Sequence, residues 1–593
     1  MKSRFAALLA GTLLLAPHLA LAGASGAPGT GAAQDHGEAD LVLRNATVIT
    51  LDAADTMAQA VAVRDGHIVA VGKDTQIASW IGGATQVIDL HGQTLVPGFI
   101  DAHAHVQGLA ASEYIRVPIQ APPLADADAI LAKLRERQRE LAPGSWLIGQ
   151  GTYNQVMPTR AQLDAAFPDN PVQLRWSAHD SLINHKAALA AGLTRDAPDP
   201  VGVGRYERGP DGEVWILRDA PVNLHQPEPT YAQQKKAIAR TLTDFFLDKG
   251  VTTVFDMSSP EIAFRAYQEL KQEGALPVRL LMGFMIGNHD GEQEARSDGH
   301  ELTTGGGEDG LFDALLKTGL HTGFGDDWLT VGPIKIFLDG VWGTTAATYK
   351  PAWKGSGTTW VPDNTGGVSR SQDTLNHQFL LAQENDWTVW VHANGDRAQD
   401  MVLNAVEYAQ AHAPQPDPRH RIEHMGHFLV QDPARTPERL ARMKRDGVIP
   451  SIQVAMLWRL TQTNAQEPDV TFFAERTMID HGFHPPLGSD TLGTQNYATN
   501  PLFSIDRAVN RTTKFGQVVQ PEQAVTPLEA LKMATIWAAW SGHLETSRGS
   551  IEVGKLADFA VLDHNPLTIE KQKIGTIAVT ETIVGGKLAY HRP

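Results

Sequence analysis

From about residue 97 to about residue 544 of this 593-residue chain, short apolar runs alternate with segments of helical periodicity. The runs include Thr252-Thr253-Val254-Phe255 and the stretches 278–282, 334–338, 388–391 and 448–452; helical periodicity covers 232–249 and 527–538. Thr526, with Glu529 three residues on, predicts a capping box at the start of the second of these helices. Strands separated by helices imply parallel β/α units. So long a run of them favours an α/β fold of the (β/α)8 TIM-barrel type, with insertions, over a small open sheet.

The flanks differ. Residues 40–52 and 60–72 carry β-branched residues at strand spacing, and Asp65-Gly66 between two apolar runs predicts a hairpin. Residues 549–562 and 577–590 look alike, with Gly585-Gly586 as the turn. The expected organisation is therefore one small composite β-sandwich formed by both termini, residues 40–96 and 545–593, closing around a barrel over 97–544. Two insertions interrupt the barrel, at about 113–229 and at about 288–327, the second rich in Gly, Asp and His and expected as a mobile loop.

Composition narrows the function. A chain with 42% hydrophobic and 20% charged residues is ordinarily globular. A formal charge of -17 excludes a general nucleic-acid role, because phosphate binding needs a basic face. With no cysteine, disulfides, thiolate metal ligands and thiol nucleophiles are excluded. Lys2 and Arg4 precede an apolar run ending near Ala16, and Ala20-Leu21-Ala22 fits a cleavage site. Residues 1–22 are thus expected to be a signal peptide and 23–39 a flexible linker. A periplasmic or secreted location follows, with no membrane anchor after cleavage.

The chemistry starts at Val96-Pro97-Gly98-Phe99-Ile100-Asp101-Ala102-His103-Ala104-His105, an apolar strand ending in His-x-His. Residues two apart in an extended chain point to one side, so both imidazoles can aim at one ion. Neutral imidazole suits zinc and similar divalent metals. Four more polar groups lie at or just after strand-like runs: Lys335 in VGPIKIFLDG, His392 in TVWVH, His424 in RIEH and Asp490 in PLGSD. Barrel sites gather at the C-terminal ends of strands, so these distant residues can converge. Taken singly, each is as easily a buried or capping residue. Lys335, between Ile334 and Ile336, would be costly to bury unpaired.

PGFIDAHAH resembles the metal-binding opening of the amidohydrolase superfamily. IKIFLDGVWGTTAA, VHANGDRA, RIEHMGH and LGSD, in that order, resemble its amidohydrolase-3 branch, the family of YtcJ-like proteins and N-substituted formamide deformylases. The resemblance implies His103 and His105 as ligands of the more buried metal, and His392 and His424 as ligands of a second. Lys335 would be a carboxylated bridge, and Asp490 both ligand and proton-transfer group. It also implies His179 as a group polarising the scissile carbonyl and Asn184 as a neighbour in the pocket. Asp396 and Arg397 in NGDRA either orient His392, bind substrate or simply start the following helix. Asn394 and Trp342 depart from the usual family pattern and are expected to reshape the pocket.

The expected reaction is hydrolysis of an amide-type C–N bond in a small N-acyl, N-formyl or aryl-amide substrate. One or two divalent ions, zinc first, would lower the pKa of a water from about 15.7 to about 7, and Asp490 would act as general base and then acid. No GxSxG elbow surrounds Ser489, so a serine hydrolase is not indicated. Cyclic amide hydrolysis, deamination and a non-catalytic secreted regulator keeping the fold stay open as alternatives, as does a homo-oligomeric state.

Overall fold

A computed structural model describes residues 37–593, except 153–154, 177–179, 200–204, 219–223, 225, 259, 287–309, 343–344, 352–364, 461–466, 468 and 492–495. The expected signal peptide and most of the expected linker lie outside the described residues, as does His179. Among the described residues no helix is long and apolar enough to cross a membrane.

Seven parallel strands form the centre: β1 (Phe99–Ala104), β2 (Val251–Asp256), β3 (Arg279–Ile286), β4 (Leu329–Phe337), β5 (Val389–His392), β6 (Arg421–Glu423) and β7 (Ile449–Ser451). They neighbour one another in chain order. The segment around Leu487 closes the ring: it bridges Ile452 in parallel, and its carbonyl accepts from the Ala102 amide of β1 at 3.0 Å. This is a TIM-type barrel, as the alternation of strand and helix signals predicts.

Side-chain alternation sorts the apolar residues into two cores. Val254, Leu280, Met282, Ile334 and Ile336 pack outward against the helices. Ile100, Ala102, Phe255, Leu281 and Trp390 fill the barrel interior, against Ala538 and Ala539. Strand register stacks the inward residues in layers. Lys335 pairs with Trp390, and Trp390 with Arg421. One layer higher, Phe337, His392, Glu423 and Ser451 follow in register. Two successive rungs thus bring charged and imidazole groups to the upper interior.

The termini meet in a sandwich. The C-terminal strand Phe559–Leu562 pairs antiparallel with Thr94–Pro97, Val561 opposite Leu95. This six-stranded sheet faces a four-stranded one built from Leu41–Arg44, Ala60–Arg64, His67–Gly72 and Gln86–Asp89. Leu43, Val61, Val63, Leu95, Phe559 and Ile583 fill the space between. In the predicted hairpin Arg64 pairs with His67, and both turn residues take positive φ, Asp65 at 50° and Gly66 at 73°. Such a turn matches strand twist and favours Asp-Gly.

The insertion after β1 forms its own six-stranded mixed sheet, from Val117–Pro118 to Val214–Arg218. The second insertion differs from expectation: within the span expected as a loop, Gly310–Thr318 is a helix. The predicted helix over 232–249 is regular only across Tyr231–Thr241. That over 527–538 ends at Met533, where the Thr535 hydroxyl bonds back to the Leu531 carbonyl at 2.6 Å. The Thr526–Glu529 capping box is present.

Candidate metal centre

Three ligand atoms from distant segments meet at the barrel mouth. His103 Nε2 lies 3.6 Å and His105 Nε2 3.5 Å from Asp490 Oδ1. Lys335 Nζ lies 3.5 Å from His103 Nε2. His103, His105 and Asp490 form a set able to hold a metal ion. The ring of His424 sits 5.4 Å from that of His103 and 4.4 Å from that of His392. All six sequence-predicted ligands therefore lie in one cluster.

Backbone contacts build this convergence. Asp490 N donates to the His103 carbonyl at 2.7 Å. The Asp101 carboxylate accepts from His103 N at 3.2 Å and Ser489 N at 2.9 Å. Burial pushes Asp101 up to about 7. Gly488 is required here, since a Cβ would lie 2.7 Å from the Cβ and N of His103. Asp490 and His424 both hold left-handed backbone, at φ 47° and 69°. Such conformations cost energy in a residue with a Cβ and collect at functional positions.

The outer hydrogen bonds fix tautomers. His103 Nδ1 donates to Glu423 Oε2 at 2.6 Å, and His105 Nδ1 to the Met257 carbonyl at 2.8 Å. Each leaves its Nε2 lone pair turned to Asp490. His392 Nε2 faces both the Gly340 carbonyl at 3.3 Å and Asn394 Nδ2 at 3.2 Å. His424 Nδ1 is buried without a hydrogen-bond partner. Burial, with Lys335 nearby, pushes His103 down to about 4; burial holds His424 well below its ordinary value too. Neutral rings with converging lone pairs, an acidic oxygen and an orphaned buried nitrogen are what a divalent cation requires, so the residues present fit one.

Lys335 is fully buried, and burial brings its amine down to about 8. Burial opposes ionisation of Asp490, but His105, His103 and Lys335 outweigh it and hold the carboxyl well below its usual range.

Sequence reasoning missed several residues. Glu423, fully buried, pairs with Arg421 Nε at 2.8 Å, and Arg421 lies over Trp390 at 3.6 Å. Asp339 Oδ1 accepts from Asn394 N at 2.9 Å and Oδ2 from Gly395 N at 2.7 Å, which shapes the turn after His392. His427 lies 4.8 Å from His424, ring to ring. The signal for Glu423 was present, since Arg421 and Glu423 stand two apart on a strand otherwise read only for its histidine.

The remaining candidates have partners of their own. Asn184 Oδ1 accepts from Ala187 N and Val172 N, both at 2.9 Å, and its Nδ2 donates to the Asn170 carbonyl. It caps the helix His185–Ala190 inside the inserted sheet and has no free group for a pocket. Asp396 begins the helix α1 (Asp396–His412) and accepts from Tyr349 N at 3.0 Å. Arg397 donates to the carbonyls of Thr365 and Gly366; it supports a loop. Asn394 contacts His392, its Nδ2 3.2 Å from Nε2. Trp342 is buried, stacks on Phe428 at 4.8 Å and donates to Glu467 at 3.1 Å, so it forms a wall beside His427.

Fold and site together define a (β/α)8 barrel whose mouth carries a histidine–carboxylate centre suited to a divalent cation. Residues 86–590 match the model of the amidohydrolase family, and the chain belongs to that family. It is 28% identical over 575 residues to N-substituted formamide deformylase of Arthrobacter pascens, covering 93% of this chain and 98% of the relative. Protein LONG AFTER FAR-RED 3 of Arabidopsis thaliana is also 28% identical, over 580 residues, covering 93% and 92%. Among solved structures, an uncharacterized metal-dependent hydrolase from Pyrococcus furiosus superposes with a TM-score of 0.64 at 24% identity, covering 89% of this chain and all of that one.

Proposed function

We propose that this protein is a secreted or periplasmic hydrolase that cleaves an amide-type C–N bond in a small N-formyl, N-acyl or aryl-amide substrate, with zinc as its metal. The observation that carries the reading is the convergence of His103 Nε2, His105 Nε2 and Lys335 Nζ on Asp490, each within 3.6 Å of a neighbour in the set. Similarity to the formamide deformylase supports the bond type, and the leader-like residues 1–22 support the location.

His103, His105 and Asp490 would hold one ion, His392 and His424 a second. A carbamate on Lys335, formed when its neutral amine adds CO2 and releases a proton, would supply oxygen ligands to the centre and remove the cost of a buried ammonium. The bound metal supplies Lewis acidity, bringing the pKa of a water from about 15.7 to about 7.

Asp490 then takes a proton from the attacking water as its oxygen bonds to the carbonyl carbon. The C=O electron pair moves to oxygen, returns, and expels the nitrogen, which receives the proton from Asp490. Glu423 and the Met257 carbonyl keep His103 and His105 in their ligand tautomers throughout. Trp342 and Phe428 supply an apolar wall for the substrate's substituent.

The test is a panel of formamides, anilides and N-acyl amino acids with metal-replete protein. Chelation is expected to abolish turnover and zinc to restore it, and Asp490→Asn to be inactive with its metal content reduced. Undiminished turnover by metal-stripped protein would overturn the reading.

A further inference from the structure

We propose that His427 is a catalytic residue whose Nδ1–H binds the carbonyl oxygen of the amide substrate and holds the negative charge that develops there. The inference rests on the amide-hydrolase reading above and adds a role to it.

His427 is 2% exposed and follows the predicted ligand His424 by three residues. The Gln453 amide donates to its Nε2 at 2.9 Å. A backbone N–H can only donate, so Nε2 must be the acceptor and the proton of the neutral ring sits on Nδ1. Protonating Nε2 would break that bond, so the contact itself keeps the ring neutral. No acceptor among the described residues takes the Nδ1 proton. A fixed N–H on a buried ring, with no acceptor for it among the described residues, is a position built for a ligand oxygen.

The surroundings say which oxygen. On one side the ring is 4.8 Å from His424, the nearest edge of the ligand cluster. On the other it meets Phe428 at 6.3 Å, which stacks on Trp342 at 4.8 Å. Phe473 supports it at 4.9 Å. His427 therefore neighbours both the cluster that would activate water and the aromatic pair that would take the substituent. An amide reaching from one to the other would bring its carbonyl to the imidazole. The ring is also a poor metal ligand: one nitrogen is occupied by the Gln453 amide and the other carries the proton. No bond to His427 forms in the reaction. As the attacking oxygen adds to carbon, the carbonyl pair moves to oxygen, and the Nδ1–H hydrogen bond strengthens with the charge.

The experiment compares His427→Phe and His427→Gln with wild type in the zinc-replete full chain, using formanilide as substrate and benzylphosphonate as a tetrahedral anion. Gln can both accept from the Gln453 amide and donate to substrate, so it preserves both contacts. In His427→Phe we expect kcat to fall by about 100–1,000-fold, the scale of one lost oxyanion donor. KM should stay within about 3-fold, zinc content should be unchanged, and phosphonate binding should weaken in parallel with kcat. His427→Gln should recover part of both losses. Histidine 15N NMR of the metal-free protein should show an Nδ1–H ring at residue 427. Wild-type kcat in His427→Phe, loss of zinc in that variant, or an Nε2–H ring would each overturn the inference. A wild type inert toward every amide would count against the amide reading instead, while the ring tautomer would still decide the placement of the proton.

Discussion

His103 Nδ1 lies 2.6 Å from Glu423 Oε2, and both side chains are fully buried. Separated by 320 positions in sequence, they form a carboxylate–imidazole pair beneath the centre. Burial opposes the charge on Glu423, but Arg421 and His103 outweigh it and hold the carboxyl ionised far below the ordinary carboxylate range. The pair sets the tautomer of His103 and raises its basicity as a ligand.

Glu423→Gln tests that relationship. Removing one partner of a buried pair leaves Arg421 uncompensated, at a cost of about 3–5 kcal/mol. Zinc affinity, read by chelator competition, should fall about 10–100-fold even at temperatures where the variant is fully folded. Unchanged affinity in a folded variant would show that the tautomer is set elsewhere.

Gly488→Ala should injure the site more than the fold. Its Cβ would meet the Cβ and N of His103 at 2.7 Å, forcing the Asp490 segment away from β1. Overpacking of this kind costs about 1–3 kcal/mol. Metal content and turnover should both drop sharply, with far-UV circular dichroism unchanged.

Far below the site, Asp558 joins sandwich to barrel. Arg279 Nε and Nη2 donate to its two oxygens at 2.6 and 3.0 Å, and Arg279 lies over Trp328 at 4.7 Å. Asp558→Asn should lower thermal stability, by about 3–5 kcal/mol if the buried arginine is left uncompensated. Activity per folded molecule should be that of the parent, since among the described residues the pair's side-chain hydrogen bonds run to one another, Asp327 and Gly585 and not to the barrel mouth. A fall in kcat without a fall in Tm would contradict that.

Acid should act through surface-facing carboxylates such as Glu407. Its hydrogen bond with Arg442 at 2.7 Å, with Arg445 also near, outweighs desolvation and depresses its pKa. Both arginines lie on the helix α2 (Thr436–Arg445), so the contact ties α1 to α2. A depressed carboxyl contributes stability that is present above its unfolded value, near 4.3, and lost as pH falls through the folded value. Being partly exposed, the pair is worth no more than about 1 kcal/mol. Glu407→Gln should therefore melt slightly below wild type at pH 7, the two curves converging in strong acid. A difference that persists at the lowest pH would exclude the ionic origin.

Local order carries a great deal of this molecule. The barrel strands announce themselves as short apolar runs alternating with helical segments, the Asp65-Gly66 hairpin by a dipeptide that tolerates two positive φ angles, and the capping box by Thr526 and Glu529. Each candidate ligand is visible as a polar residue in, at the end of or just after an apolar strand-like run. Other roles are set by tertiary partners. Asn184, which stands before HKAALA, caps that helix as an ordinary N-cap. Arg397 bonds carbonyls of a loop some 30 residues away, a contact that its chain neighbours do not signal.

The sequence by itself thus determined the barrel and the sandwich joined from both ends, because strand period and turn chemistry act over a few residues, and it marked the polar groups that the fold gathers at the barrel mouth. Only the tertiary structure decided that Glu423 grips His103, that Gly488 admits Asp490 beside it, and that Gln453 leaves the His427 proton on Nδ1. Those relations depend on strand register and on ring closure between segments hundreds of residues apart. No local periodicity encodes which nitrogen of a distant imidazole will face an acceptor.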